Sequence, residues 1–168
     1  LFSVPVGTSI GGTSSKKGHI LHGACRSAGE IAYMRVPAGR LHDVASATYL
    51  CREMACKKAA DPEKVDGRTC FAWVRQGDAT AAAVLDTFCQ NLADGLANIA
   101  CLCNPDGIVL GGGIMAQEDI LRPKLETALA ARLPAMMLPP KGLAFAKRQN
   151  DAGMLGALYL LLHRKGSY

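Results

Sequence analysis

The sequence predicts an α/β domain, and three observations carry that expectation. Short apolar segments at residues 2–6 and 108–110 each stop at a glycine-rich turn, as strands do where the chain reverses or lets a ligand approach bare backbone. The longer stretches between them repeat apolar residues at helical spacing. Aromatics make up only 5% of the 168 residues while alanine and leucine abound, which suits helices packed closely through small side chains. With 49% apolar residues the chain is globular, and its length is that of one domain with a substantial core.

The elements follow in order. Residues 2–6 read as a strand entering the turn Gly7-Thr8-Ser9-Ile10-Gly11-Gly12-Thr13. Residues 19–22 read as a short strand after the Lys17-Gly18 turn, and residues 30–36 as another. From 43 to 60, Val44, Ala47, Leu50, Cys51 and Met54 recur at helical spacing. Residues 61–67 form a polar loop, and 69–75 a brief helix holding the only tryptophan, Trp73. The longest helix spans 79–103: Val84, Leu85, Phe88, Leu92, Leu96, Ile99 and Cys103 make one stripe, and Asp78 is positioned to cap its start. A strand at 108–110 then runs into Gly111, Gly112 and Gly113. A helix at 117–132, a strand at 143–146 and a last helix at 152–164, capped by Asp151, complete the chain. Gly95, Gly153 and Gly156 lie inside helices at a cost in propensity, so each implies close packing or a nearby ligand.

Several function classes are disfavoured. The net charge is +5, but the basic residues are dispersed in pairs such as Lys57 and Lys58 and are not interleaved with aromatics, the pattern of a solvated surface rather than a nucleic-acid face. The longest apolar run, 154–162, is too short to span a bilayer. No basic segment precedes an apolar one at the start, so no secretory signal is visible, and the chain opens without methionine, as though sequence preceded it. Seven cysteines, an odd number set mostly in helical patterns, indicate reduced, partly buried thiols in a cytoplasmic protein. Cys101 and Cys103 do not have zinc-knuckle spacing, so no structural zinc site is expected there.

Two glycine-rich turns in one domain suggest a nucleotide held from two sides. Four motifs then occur in order: Gly7-Thr8-Ser9-Ile10-Gly11-Gly12; Ala28-Gly29-Glu30-Ile31; Asn104-Pro105 through Gly113; and Asn150-Asp151-Ala152-Gly153-Met154-Leu155-Gly156-Ala157. Together they resemble the C-terminal lobe of the ROK family, named for repressors, open reading frames and sugar kinases, over nearly the whole chain. The resemblance implies an actin-like, ribonuclease-H-like ATPase fold. In the family's kinases, a hexose or amino-hexose receives the γ-phosphoryl of ATP, with Mg²⁺, in a cleft between two lobes.

By that resemblance Gly7, Thr8, Gly11 and Gly12 would cradle the terminal phosphates through freed backbone N–H groups and the Thr8 hydroxyl, while Gly111, Gly112 and Gly113 would lie against the adenosine. Glu30 matches a glutamate that hydrogen-bonds sugar hydroxyls, and His42 stands where a second sugar-binding glutamate is usual, with Ser46 matching a serine four positions on. Homodimers are common in the family. The departures are equally specific. The family's general-base aspartate and first phosphate loop lie upstream of this lobe, so the chain alone is expected to be inactive, and Asp151 is not that base. Ala32 and Tyr33 replace Gly-His, and Pro37-Ala38-Gly39-Arg40-Leu41 replaces a cysteine-rich segment, so the family's zinc is expected to be absent. Ser9 replaces a glycine, and the polar run 13–17 replaces an apolar strand, which weakens the hairpin. The alternative implied by the same motifs is the sugar-sensing domain of a ROK repressor, whose separate N-terminal domain would bind DNA; a degenerate lobe serving only dimerisation is the third.

Overall fold

Alternation along the first strand decides which way the sheet faces. In the computed structural model, which describes residues 1–148 and 151–163, β1 (Phe2–Pro5) buries Phe2 and Val4 and exposes Ser3 and Pro5. It is followed by β2 (Thr13–Lys16), β3 (His19–Ile20), β4 (Arg35–Val36), β5 (Gly39–Arg40), β6 (Ile108–Gly111) and β7 (Leu143–Phe145). Five of these form one mixed sheet in the order β3-β2-β1-β6-β7, and β4 pairs with β5 in a separate hairpin. β1 runs parallel to β6 with Val4 opposite Leu110, and β6 parallel to β7 with Leu110 opposite Phe145. β2 and β3 extend the sheet antiparallel.

The helices are α1 (Leu41–Ala45), α2 (Ala47–Lys57), α3 (Gly67–Arg75), α4 (Ala79–Cys103), α5 (Glu118–Ala130) and α6 (Asp151–His163). α4 is the centre of the core, with Leu85, Phe88, Leu92 and Leu96 fully buried. Its cap is the expected one, Asp78 accepting from the Ala81 N–H at 2.8 Å. At its other end Asn104 adopts a left-handed conformation (φ 37°), a common way to stop a helix. Gly95 serves packing: a Cβ there would sit 2.7 Å from the Leu41 methyls. α5 carries the chain from β6 to β7; it is held to α4 by the Lys124–Asp86 pair, and the turn just after it by Arg132–Asp94, both at 2.5 Å.

Four expectations need correction. Residues 30–36 are not one strand, because the Ile31 N–H turns back onto the Gly29 carbonyl at 2.7 Å and the Met34 N–H donates to the Ile31 carbonyl at 3.0 Å, closing a 3-10 turn at Ile31–Tyr33. The helix expected at 43–60 is two helices, α1 and α2, broken at Ser46. Ser46 is buried and extended, its hydroxyl accepts from the Tyr49 N–H at 3.1 Å, and Asn91 of α4 donates to the stranded Val44 carbonyl at 3.0 Å. The polar run at 13–17, expected to weaken the hairpin, still forms a strand over Thr13–Lys16, because β2 has partners on both edges and the Ser15 N–H donates to the Leu1 carbonyl at 2.9 Å. Of the two reasons expected for Gly153 and Gly156, close packing is not the one among the described residues, since a Cβ at either would meet nothing within 4 Å. The capping role expected of Asp151 rests on its side chain and on residues 149–150, which lie outside what is described. No helix among the described residues is long and apolar enough to cross a membrane.

Candidate nucleotide and sugar sites

Parallel strands present their C-terminal ends on one side of a sheet, where the following loops leave backbone groups facing a common space. Here β1 runs on into Val6 and Gly7, and β6 ends at Gly111, the first of the glycine triplet. Between them opens a cavity of about 450 Å³, lined also by Ala47 of α2, by Asp66, Gly67, Arg68 and Phe71 at the start of α3, and by Gly113, Ile114, Ala116 and Gln117. Its size lies within the usual range for a small-molecule site. The first turns of α2 and α3 both reach it, and a helix N-terminus presents the positive end of its dipole. Arg68 adds a cationic side chain and Phe71 an apolar wall.

The glycines divide by role. Gly112 (φ 101°) is required by the fold, since a Cβ there would lie 2.1 Å from the Val6 carbonyl oxygen. It lets the end of β6 press against the end of β1. Gly111 meets only ordinary contacts, and Gly113 meets nothing within 4 Å and lines the cavity. Of the triplet expected to face adenosine, Gly113 is therefore the member on the cavity wall. In the first turn Gly7 lines the cavity, whereas Gly12 and Gly29 (φ 95°) press on each other, a Cβ on Gly29 falling 2.3 Å from the Gly12 oxygen. The Gly7 and Gly11 N–H groups, expected to be free, donate to Ser9 O (2.8 Å) and Pro5 O (3.1 Å).

That turn is tethered to residues 42–48 at three points. The Ala47 N–H donates to the Gly7 carbonyl at 2.9 Å, the Thr48 hydroxyl donates to the Thr8 carbonyl at 2.9 Å, and the Ser9 hydroxyl lies 3.0 Å from His42 Nδ1. Ser9, a departure from the expected glycine, thus joins the phosphate-type turn to a candidate sugar residue. His42 lines a hollow of about 190 Å³ with Ser9, Ala32, Tyr33 and Arg40. Glu30 is exposed and lines a separate hollow of about 410 Å³ with Tyr33, Phe2, Ile99 and Leu102. Tyr33 lines both, so Glu30 and His42 lie on either side of it rather than in one pocket.

Electrostatics keep the cavity's carboxylate charged. Asp66 caps α3, and the Thr69 N–H and hydroxyl, both 2.8 Å away, hold its carboxyl below the usual range. Across the cavity Arg75 bonds Gln117 and pairs with Asp119 at 2.8 Å, fixing Gln117 at the rim and lowering the Asp119 carboxyl. Sequence reading missed Asp66, Arg68, Phe71 and Gln117. The available signal was Asp66 ahead of Gly67-Arg68-Thr69, a cap that places the helix start two residues earlier than expected. The hairpin of β4 and β5 carries no thiol, imidazole or carboxylate, so its residues do not fit the family's zinc. Among the described residues no cluster of three or more His, Cys, Asp or Glu could hold a metal ion. Four cysteines (Cys25, Cys56, Cys101 and Cys103) are exposed, more than their helical patterns suggested.

Comparison with known proteins gives a consistent answer. An uncharacterised protein of Clostridium perfringens is 42% identical over 92% of this chain and 52% of its own length. A glucokinase of Halalkalibacterium halodurans is 31% identical over 98% of this chain and 56% of its own. The crystal structure of a ROK hexokinase from Thermus thermophilus superposes with a TM-score of 0.82 at 26% identity, covering 98% of this chain and 58% of that one. The chain thus spans about half the length of the relatives it matches, and its fold is the actin-like ATPase fold of such kinases. With the ROK family description matching residues 1–164, the chain belongs to the ROK family.

Proposed function

We propose that this chain is the nucleotide- and sugar-binding lobe of an ATP-dependent hexose or amino-hexose kinase. The observation that carries the proposal is the cavity at the ends of β1 and β6, where the first turns of two helices converge beside Gly7 and Gly113. Phosphoryl transfer rests mainly on positioning and on stabilising charge. The α2 N-terminus, Gly7 and Thr8 would face the terminal phosphates, with Gly11 and Gly12 shaping the turn behind them. Gly113, Phe71 and Ile114 would lie against the adenosine, with Gly111 and Gly112 setting the close approach of β6 to β1. Asp66, held ionised, suits hydroxyl donors such as those of a ribose better than phosphate. Glu30 and His42 would bind the sugar on either side of Tyr33. When bound, Mg²⁺ with ATP would neutralise phosphate charge, and the general base and first phosphate loop would come from sequence outside these 168 residues. A cytoplasmic homodimer is the expected setting.

The test is an ADP-release assay across hexoses and amino-hexoses, on a form of the protein extended to the length of its relatives. Turnover with at least one sugar is expected. Glu30→Gln should lower it roughly 10- to 100-fold, the loss of a charged hydrogen bond to substrate. A long form that binds sugar but never consumes ATP excludes the kinase and leaves the sugar-sensing repressor domain.

A further inference from the structure

Two of the seven thiols face each other, on the two helices whose first turns reach the cavity proposed above for the nucleotide. Cys51 is on α2 and Cys70 on α3, 19 residues apart, with their sulfurs at 3.9 Å. Cys51 is half-buried and Cys70 buried. Cys51 lies one helical turn beyond Ala47, and Cys70 lies between Gly67 and Phe71, all three of them cavity-lining residues. We propose that Cys51 and Cys70 are a reversible redox-active dithiol, oxidised by small-molecule disulfides such as glutathione disulfide to a bond that clamps α2 to α3 at the cavity wall.

The chemistry balances without any other oxidant. The Cys51 thiolate attacks one sulfur of glutathione disulfide, forming a mixed disulfide and expelling one glutathione thiolate. Cys70 then gives up its proton to that thiolate and attacks the Cys51 sulfur, and the second glutathione leaves as a thiolate that takes up from water the proton Cys51 had released. Two protein thiols become one disulfide, and one glutathione disulfide becomes two thiols. The order follows from the surroundings. Cys51 is the more accessible sulfur, and the hydrogen bond donated by the Cys70 thiol draws its pKa down, against burial and the nearby Asp66. That same hydrogen bond is the main reason the Cys70 thiol is held far up, with burial second. Once Cys51 is capped it no longer holds the Cys70 proton, so the first step readies the second. A disulfide bond is about 2.05 Å long, so the sulfurs must close by roughly 1.9 Å, drawing the two helices together. Cys89, by contrast, is buried in α4 without a thiol neighbour, and burial pushes it up to about 12.

Trypsin would release Cys51 in the peptide 41–52 and Cys70 in the peptide 69–75, each with no other cysteine. The chain is equilibrated at graded ratios of glutathione to its disulfide, quenched in acid, alkylated, digested and analysed by mass spectrometry. The 41–52 peptide linked to 69–75 should accumulate reversibly, at least tenfold above any linkage of Cys101 or Cys103, and the preference should vanish in denaturant. Backbone amides of residues 47–51 and 67–71 should exchange several-fold more slowly in the oxidised form. Cys51→Ser should abolish the linkage, and in Cys70→Ser glutathione should remain on Cys51. The wild-type peptide map decides the matter without either variant. A stable glutathione adduct on wild-type Cys51 with Cys70 still alkylated, or no linked peptide where Cys101 and Cys103 are oxidised, overturns the dithiol. Unchanged exchange in a fully linked protein overturns the clamp.

Discussion

Helices α4 and α6 are both rich in leucine and alanine, yet the structure treats them oppositely. α4 buries thirteen of its 25 residues and keeps Asp86, Gln90 and Asp94 on the side where Lys124 and Arg132 of the α5 region bind them. In α6 every side chain that is described is exposed, including Met154 at 68%, Leu158 at 49% and Leu162 at 70%. The sequences differ in one respect: residues 154–162 are apolar on all sides, with no polar face to turn to water. A helix with a stripe finds its partner within its own domain, whereas one that is apolar all round is covered only in a larger body. Periodicity thus reports where a helix's cover lies, as well as that a helix forms.

That contrast can be broken by measurement. Phe88→Ala, at the fully buried centre of α4, should cost about 3–5 kcal/mol in urea unfolding. A loss below about 1 kcal/mol would mean α4 is not the core. Asn91→Ala should cost about 1–3 kcal/mol, because it leaves the buried Val44 carbonyl without its donor. Asp78→Asn should act less at neutral pH, since asparagine also caps, but it should flatten the acid limb. The Asp78 carboxyl is held below the ordinary value, first by Lys58 and then by the Ala81 N–H. Its contribution is therefore present above the unfolded value of about 3.9 and is lost as pH falls below it, through the depressed folded value. Urea midpoints at pH 7 and at about pH 3 should separate further in the wild type than in the variant; parallel shifts would remove Asp78 from the acid response. Leu158→Ala in α6 should change the stability of this chain by no more than about 0.5 kcal/mol. A cost comparable to Phe88→Ala would show that α6 is already covered.

The strands and long helices were legible because each rests on a local pattern: alternation in β1, the 79–103 stripe with Asp78 before it, and apolar strands ending at glycine. What stayed hidden depends on residues far apart in the chain. Nothing near Ser46 announces a break, since the Val44 carbonyl is satisfied by Asn91, 47 positions away. The 3-10 turn at Ile31–Tyr33 depends on Gly29, whose conformation is required by Gly12. The candidate site was half legible for the same reason. Gly7 and Gly113 stand out as bare backbone after strands, but Arg68, Phe71 and Gln117 reach the cavity only through the packing of α3 and the Gly113–Ala116 turn onto it. Glycine in a motif did not predict its role: Gly112 and Gly12 are needed for backbone to meet backbone.

The three tethers of the Gly7-Thr8-Ser9 turn have a mechanical consequence. All of them land on residues 42–48, so the turn cannot swing independently of that segment: displacing the first turn of α2 carries the Gly7 carbonyl and the His42 imidazole along with it. The cavity face and the His42 face are thus two sides of one plate. A ligand that favours one position of the plate from one side would change the affinity felt on the other, and by reciprocity each ligand would alter the other's binding by the same factor.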